Sequence, residues 1–304
     1  MNTQKLMLFL GLLLTSSSIT FAQQDPHFTQ YFDNALFVNP AYAGSTKMLS
    51  ATAIHREQWV GFEGRPSSTT FSIHSPLSYE SVGVGFTAVR DVLGPLKQTM
   101  FYGDFSYSLR FKKSRSLAFG LKAGLNLINM ETATLNTTQE SDPHLITNTL
   151  NKVNPNFGFG VYYRSPKLFF GLSTPKIIEQ SYDGSANNRE KRHYFAIVGG
   201  IIKMNTSWKL RPTAQVKLTA GAPISMDLSV AAIHNDQLYL GAMYRYGAAY
   251  GIFVQYQISQ QFRVGLASDF GTQALRNYNN GTFEVMLSYD FSFNKEGVRS
   301  PRYF

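Results

Sequence analysis

Residues 101–111 read Phe-Tyr-Gly-Asp-Phe-Ser-Tyr-Ser-Leu-Arg-Phe, and their side chains alternate between apolar and polar. The odd positions from Phe101 to Phe111 are apolar or glycine, and the even positions from Asp104 to Arg110 are polar. A period of two is typical of a β-strand that has one apolar and one polar face. The same alternation recurs at 117–127, 210–218, 238–246 and 283–293. We therefore expect an all-β fold.

The composition agrees with this expectation and excludes several classes of protein. The 304 residues include 24 Phe, 17 Tyr and 24 Gly, with 15% charged residues, a formal net charge of +9 and no cysteine. Aromatic side chains favour strands. Without thiols, a disulfide scaffold and a cysteine-ligated zinc or iron–sulfur site are impossible. The high aromatic content also argues against disorder, and a coiled coil would need far more Ala, Glu, Lys and Leu.

The first 22 residues have the features of a secretory signal peptide. Lys5 precedes an apolar run at 6–14, and the small residue Ala22 follows a polar stretch. We expect cleavage after Ala22. The alternative is a membrane anchor, but the run is shorter than the roughly 20 residues of a spanning helix. Because no cysteine follows to accept a lipid, the mature protein is expected either to be soluble in the envelope or to lie in the outer membrane.

Fourteen alternating segments favour the outer membrane, where single-chain barrels have an even number of strands. We predict a transmembrane antiparallel β-barrel of about 14 strands over 49–293, followed by a periplasmic tail at 294–304. The predicted strands are 49–56, 68–74, 81–90, 98–110, 116–129, 154–164, 168–174, 192–204, 207–219, 223–233, 237–246, 249–258, 261–269 and 282–293.

Connection length should then alternate around the barrel, with long loops outside and short turns in the periplasm. The connections expected to be long are 57–67, 91–97, 130–153, 175–191 and 270–281. Those expected to be short are 74–80, 111–115, 165–167, 205–207, 234–236 and 259–261. This arrangement places both termini in the periplasm. A soluble β-sandwich is the alternative, but nothing in a sandwich would make connection length alternate.

Residues 23–48 break the alternation and carry the most informative motifs. An Asp-Pro-His-Phe-Thr-Gln-Tyr block spans 25–31, and Asn-Pro-Ala-Tyr-Ala-Gly spans 39–44. Arg56, Gln58 and Trp59 follow in an Arg-x-Gln-Trp segment. The mature chain resembles, over nearly its whole length, the PorP/SprF family of outer-membrane proteins of type IX secretion and gliding in Bacteroidota. It departs from the family pattern at Phe283-Glu284, in place of a usual His-Glu pair, and at 267–269, in place of a Tyr-rich strand.

Segment 23–48 has too much Pro, Asn, Asp and Gly to be a central strand, although its aromatic side chains need burial. We predict that it folds into the periplasmic mouth and narrows the lumen; the alternative is a lid beneath the barrel. Trp59 would serve as an interfacial anchor, as lumen packing or as a contact for an outside partner. The residues proposed for plug or partner contacts are Asp25, Phe28, Gln30, Tyr31, Asn39, Pro40, Tyr42, Arg56, Gln58 and Trp59.

Charged residues on the polar phase of the strands should face the lumen and form ion pairs there. The expected cations are Arg110, Lys122, Arg211, Lys217, Arg245 and Arg263, and the expected anions are Glu57, Asp104, Asp227, Asp269, Glu284 and Asp290. No nucleophile elbow or His-Glu-x-x-His pair occurs, so we expect no enzyme, no cofactor and no catalytic or metal site.

Two classes of function remain, and nucleic acid is not an expected partner of either. The resemblance implies a docking barrel, embedded in outer-membrane lipid, that anchors the C-terminal domain of exported type IX cargo, such as a gliding adhesin, at the cell surface. Within the same family, the chain would alternatively be a structural component of the secretion apparatus that contacts a periplasmic peptidoglycan-binding subunit. A diffusion porin is the alternative from the other class.

Overall fold

The computed structural model describes residues 26–46, 48–77, 80–112, 114–131, 150–180, 189–272 and 278–291. Signal peptide and tail predictions, Asp25 and both chain termini lie outside this part. The strands are β1 Leu49–Glu57, β2 Ser67–Pro76, β3 Val82–Leu93, β4 Leu96–Phe111, β5 Arg115–Met130, β6 Leu150–Arg164, β7 Leu168–Thr174, β8 His193–Gly200 with Ile202–Lys203, β9 Trp208–Thr219, β10 Ser225–His234, β11 Leu238–Arg245, β12 Ala249–Gln257, β13 Phe262–Gly271 and β14 Thr282–Phe291. Both pieces of β8 pair with β9, so they form one strand interrupted at Ile201.

The fourteen strands form one closed antiparallel barrel, which confirms the predicted fold class. Each strand pairs with its neighbours in sequence, and the ring closes where β1 pairs with β14 from Leu49↔Phe291 to Glu57↔Phe283. Closure removes the free edges that an open sheet would expose. Every strand backbone group can therefore find its partner within the barrel, as a membrane requires.

The two ends of the barrel differ in the length of their connections. Residues 58–66, 131–149, 175–192 and 272–281 connect strands at one end, the long-connection end. At the other, the short-turn end, no connection between the described strands exceeds five residues. The prediction of a long connection at 91–97 is wrong: Leu93 pairs with Leu96, leaving a two-residue turn. Gly94, at φ 55°, adopts the positive φ that a tight hairpin turn needs.

The barrel wall is apolar outside and polar inside. In one row across β4, β5 and β6, Phe105, Leu121 and Phe159 face outward and are 47%, 59% and 41% exposed. The adjacent residues Asp104 and Lys122 face inward and are buried. A soluble protein has the opposite arrangement, so this exterior requires lipid. No helix among the described residues is long and apolar enough to cross a membrane.

Residues 26–46 lie inside the barrel, and we refer to them as the plug. They form a 3₁₀ turn at Tyr31–Asn34, a single helical turn α1 at Ala35–Val38 and another 3₁₀ turn at Pro40–Tyr42. The aromatic side chains of the plug form the centre of the main hydrophobic cluster, together with inward-facing residues of the wall. The core of this protein is therefore the interface between the plug and the wall.

Candidate functional site

The plug runs along the lumen from the long-connection end to the short-turn end. At its start, the amide of Thr29 donates to Glu284, near the end of β14 that adjoins residues 272–281. At its close, the carbonyl of Ser45 accepts from Arg164, the last residue of β6 before a short turn. The plug therefore extends beyond the single mouth expected from the sequence. Pro26 is its first described residue, and the position of the chain terminus itself lies outside the described part.

A buried ion cluster holds the start of the plug. The Nη1 atom of Arg56 lies 2.6 Å from Asp269 Oδ2 and 2.5 Å from Glu284 Oε1, and all three side chains are almost fully buried. Thr29 Oγ1 donates to Asp269 at 2.8 Å, and the amide of Gln30 donates to Glu284 at 3.1 Å. The two carboxylates share one guanidinium, and Thr29 and Gln30 of the plug donate further hydrogen bonds to these carboxylates. Such a cluster depends on every member, because an unpaired buried charge is costly.

A second polar cluster lies near the long-connection end, beside the first. Arg245 donates to both oxygens of Asp227, at 2.8 and 3.3 Å. His27 Nδ1 lies 3.9 Å from Asp227, and His27 Nε2 lies 3.3 Å from Lys217 Nζ. The Tyr31 hydroxyl, deeper in the lumen, is 2.7 Å from the Thr213 hydroxyl. Residues 27–31 of the plug therefore make polar contacts with β9 and β10 as well as with β13 and β14.

Asp33 and Phe32 join the middle of the plug to basic side chains of the wall. Asp33 Oδ1 accepts from Arg263 at 2.8 Å, and Asp33 Oδ2 accepts from Gln255 at 2.6 Å. The guanidinium of Arg211 lies 3.7 Å from the centre of the Phe32 ring. A desolvated guanidinium over an aromatic face is attracted by the ring quadrupole. Asp33 was not among the sequence-predicted residues, although a lone acid among aromatic residues in an apolar segment signals a buried partner.

Lys122 binds the carboxyl end of α1. Its ammonium donates to the carbonyls of Leu36 and Phe37, at 3.1 and 3.2 Å, and pairs with Asp104 at 3.1 Å. The last carbonyls of a helical turn have no partner within the turn, and a cation there satisfies them. The sequence placed Lys122 correctly in the lumen but did not indicate that the plug backbone was its partner.

The Asn-Pro-Ala-Tyr-Ala-Gly motif packs directly on glycines of the wall. Asn39 Oδ1 accepts from the Ala41 amide at 3.0 Å, and Asn39 Nδ2 donates to the Val161 carbonyl at 3.0 Å. A Cβ on Gly120 would lie 2.1 Å from the Ala41 nitrogen, and one on Gly160 would lie 2.1 Å from Asn39 Oδ1. The plug backbone at Ala41 and the side chain of Asn39 therefore approach the wall more closely than a side chain at Gly120 or Gly160 would permit.

The structure brings most of the sequence-predicted site residues together. Phe28, Gln30, Tyr31, Asn39, Pro40 and Arg56 are buried in the lumen. Tyr42 is partly buried, with its ring centre 5.2 Å from His74 and 5.4 Å from Tyr162. Gln58 and Trp59 instead lie at the long-connection end, where the Gln58 amide donates to the Pro66 carbonyl and the Trp59 amide to the Thr282 hydroxyl.

Two of the charges predicted for the lumen network lie outside it. Arg110 is 48% exposed on its side chain and pairs with Glu80 at the short-turn end, because β4 extends beyond the buried part of the lumen. Glu57 pairs with Arg65 in the connection between β1 and β2. Both pairs are in contact with solvent, so they differ from the buried clusters around the plug.

In the described part of the barrel, two small cavities lie between the first half of the plug and the wall. One cavity of about 20 Å³ lies beside Phe28, Tyr31 and Lys217, and another of about 20 Å³ lies beside Phe32, Arg211 and Arg263. Each has room for about one water molecule. Among the described residues, no group of three or more His, Cys, Asp or Glu side chains is arranged to hold a metal ion. The site is therefore an occluded lumen built of salt bridges, hydrogen bonds and aromatic packing.

Fold and lumen together define a membrane β-barrel that is filled by its own N-terminal segment. The family model described as "Type IX secretion system membrane protein PorP/SprF" matches residues 20–289. The chain belongs to this family, which confirms the resemblance seen in its motifs. No curated protein matches the chain.

Several solved structures are similar to this chain. A FadL homologue of Pseudomonas aeruginosa is 12% identical, with a TM-score of 0.46, over 90% of this chain and 96% of the other. A mutant of the monoaromatic hydrocarbon channel TodX is 11% identical, with a TM-score of 0.49, over 84% and 94%. KdgM porin is 9% identical, with a TM-score of 0.41, over 80% and 99%. These low identities carry no function to this chain.

Proposed function

We propose that this protein is a non-enzymatic, non-conducting barrel that docks exported type IX cargo, through the cargo's C-terminal domain, at the cell surface. The observation that carries the proposal is the occluded lumen. The buried ion pair of Asp33 with Arg263 joins the plug to the wall, as do hydrogen bonds from Thr29 to Glu284 and Asp269 and from Lys122 to the plug carbonyls. A barrel filled in this way is poorly suited to diffusion, so its exposed ends are the surfaces available for function.

In this proposal the long-connection end faces outward and the short-turn end faces the periplasm. Outer-membrane barrels generally have long extracellular connections and short periplasmic turns. The described parts of the long connections expose large apolar side chains: Phe62 is 42% and Tyr278 is 73% exposed. Aromatic side chains surrounded by polar residues are typical contacts of protein interfaces. The connections 131–149 and 175–192 supply the greatest length of chain for such contacts.

A two-part experiment tests the proposal. The purified full-length barrel is placed in a planar bilayer, where we expect no steady conductance. The tagged barrel is also isolated from its native outer membrane in mild detergent, and retained proteins are identified by mass spectrometry. We expect an exported protein that is held through its C-terminal domain.

A matched pair of variants tests whether the long connections hold the cargo. Replacement of residues 132–149 by a Gly/Ser chain of equal length should abolish cargo retention. The control replaces residues 235–237, a short turn at the opposite end, and should leave cargo retention unchanged. A conducting barrel without cargo would contradict docking and support a porin. Retention of periplasmic subunits alone would support a structural role in the apparatus.

A further inference from the structure

The short-turn end of the barrel contains a larger cavity, which the packing of the plug leaves unfilled. The cavity has a volume of about 190 Å³, and we refer to it as the basic pocket. Its floor includes Ala41 of the plug and Ala118 and Tyr162 of the wall, and its rim includes Arg110, Arg115 and Arg164. It is much larger than the cavities of about 20 Å³ beside the plug. A cavity of this size, with exposed residues at its rim, can accept an amino-acid side chain of a peptide from the short-turn end.

Two arginines and a hydroxyl form a row along the wall of this pocket. Arg110 pairs in register with Ser116, and Ser116 pairs with Arg164 on the next strand. Directly paired residues on antiparallel strands have Cβ atoms about 5 Å apart. The row therefore places one guanidinium group on each side of the Ser116 hydroxyl. Guanidinium groups bind carboxylates through paired N–H···O hydrogen bonds.

Positive charge dominates this end of the barrel. The described cations at the short-turn end are Arg110, Lys112, Arg115, Arg164, Lys167, Lys203 and Lys209. The described anions there are Glu80, Asp236 and Asp290; Asp236 pairs with Lys209 away from the pocket, and Asp290 accepts from the Ser50 hydroxyl. Such a potential attracts acidic partners and raises their association rate.

Glu80 already shows how a carboxylate binds at the rim. Its carboxylate accepts from Arg110, but the two side chains are 63% and 48% exposed. Exposed pairs of this kind contribute little to stability, so a competing carboxylate can replace Glu80. Arg164 donates to the neutral carbonyl of Ser45, which leaves its charge available to an incoming anion.

The position of the pocket identifies the class of occupant. Ser116 and Tyr162 point to the interior of the barrel, on the same phase as buried Lys122. Lipid headgroups lie on the opposite face of the wall and do not reach these side chains. Residues 292–304 of the chain carry Lys295, Arg299 and Arg302 against Glu296. Their net positive charge makes this segment a poor occupant, so the complementary partner is an acidic segment of another protein.

We propose that the basic pocket, through Arg110, Ser116 and Arg164, binds the carboxylates of an acidic peptide segment of a periplasmic protein. This site lies at the end opposite to the proposed cargo surface. The compartment of the partner depends on the orientation proposed above, whereas the carboxylate chemistry does not.

The test uses the full-length barrel in detergent and a fluorescein-labelled oligoglutamate peptide, with oligoglutamine of equal length as the reference. Fluorescence anisotropy should show binding of oligoglutamate only. Arg164→Gln should weaken this binding roughly fivefold or more, because it removes charged hydrogen bonds. Lys203→Gln removes the same charge from the same end outside the pocket and should change the affinity less than about twofold. Glu80→Gln should strengthen binding by freeing Arg110.

Three results would overturn the proposal. Equal binding of the two peptides would show that the site does not recognise carboxylates. Equal losses of oligoglutamate affinity for Arg164→Gln and Lys203→Gln would indicate that the general positive potential of this end, rather than the pocket, binds the peptide. Displacement of the peptide by phosphatidylglycerol micelles but not by free glutamate would assign the site to lipid. If Arg164→Gln fails to fold, as judged by heat-modifiable gel mobility, Arg110→Gln takes its place with the same expected direction.

Discussion

Arg56→Gln should destabilise the barrel by about 3 to 5 kcal/mol, the usual cost of breaking a buried ion cluster on one side. Asp269 Oδ2 and Glu284 Oε1 lie 2.6 and 2.5 Å from the same nitrogen, so these two oxygens are at most about 5 Å apart. Without the guanidinium, two buried carboxylates repel each other by about 3 kcal/mol at an effective dielectric constant of about 20. Thr29, which bonds to both, should then loosen at the start of the plug.

The assay is urea unfolding of the purified barrel in detergent, followed by heat-modifiable gel mobility, together with planar-bilayer conductance. The matched control is Arg65→Gln, which breaks the solvent-exposed pair with Glu57 at the same end of the barrel. Its expected cost is less than about 1 kcal/mol. Combining Arg56→Gln with Glu284→Gln should recover part of the loss, because the repulsion disappears. If the cluster holds the plug, Arg56→Gln should also raise the conductance of the bilayer. If Arg56→Gln lowers the free energy of unfolding no more than Arg65→Gln does and leaves the bilayer without conductance, the cluster does not hold the plug.

Three further predictions concern the plug and the wall. Gly120→Ala should cost about 1 to 3 kcal/mol, since its Cβ would meet the plug backbone at 2.1 Å, whereas Gly103→Ala, with its nearest neighbour at 3.9 Å, should be nearly neutral in the same unfolding assay. Lys122→Met should cost about 3 kcal/mol by leaving Asp104 unpaired, and adding Asp104→Leu should restore most of the stability; no recovery in the double variant would refute the ion-pair explanation. Leu121→Arg, on the outer face, should slow or prevent insertion into lipid vesicles and cost about 2 to 4 kcal/mol, and normal insertion would contradict a lipid-facing position.

Local patterning was sufficient to predict the wall of the barrel. Residue alternation along Phe101 to Phe111 gave the strand and the phase of its faces, because side chains in a strand point alternately to opposite sides. It also placed Lys122 and Arg263 in the lumen. The prediction of a long connection at 91–97 was wrong because Gly94 adopts a positive φ, which allows a two-residue turn.

The contacts of the plug were much less predictable. Burial of Phe28 and Tyr31 followed from their aromatic side chains, but the depth of the segment in the lumen did not. Thr29 meets Glu284 across 255 residues of sequence, and no local pattern encodes such a pair. The two glycines beneath Asn39 and Ala41 are on the inward phase of their strands, where an unusual absence of side chains could have signalled a close backbone approach.

The sequence by itself determined the class of fold, the apolar exterior, the strand number and the family, because each depends on short-range periodicity or on contiguous motifs. Only the tertiary structure decided which carboxylates bind Arg56, how far the plug extends and where the basic pocket forms. Those features arise from closure of the barrel, which sets distant strands side by side and fixes the register that aligns Arg110, Ser116 and Arg164. Contacts between residues so far apart in sequence depend on the register of the whole closed sheet, which no single segment specifies.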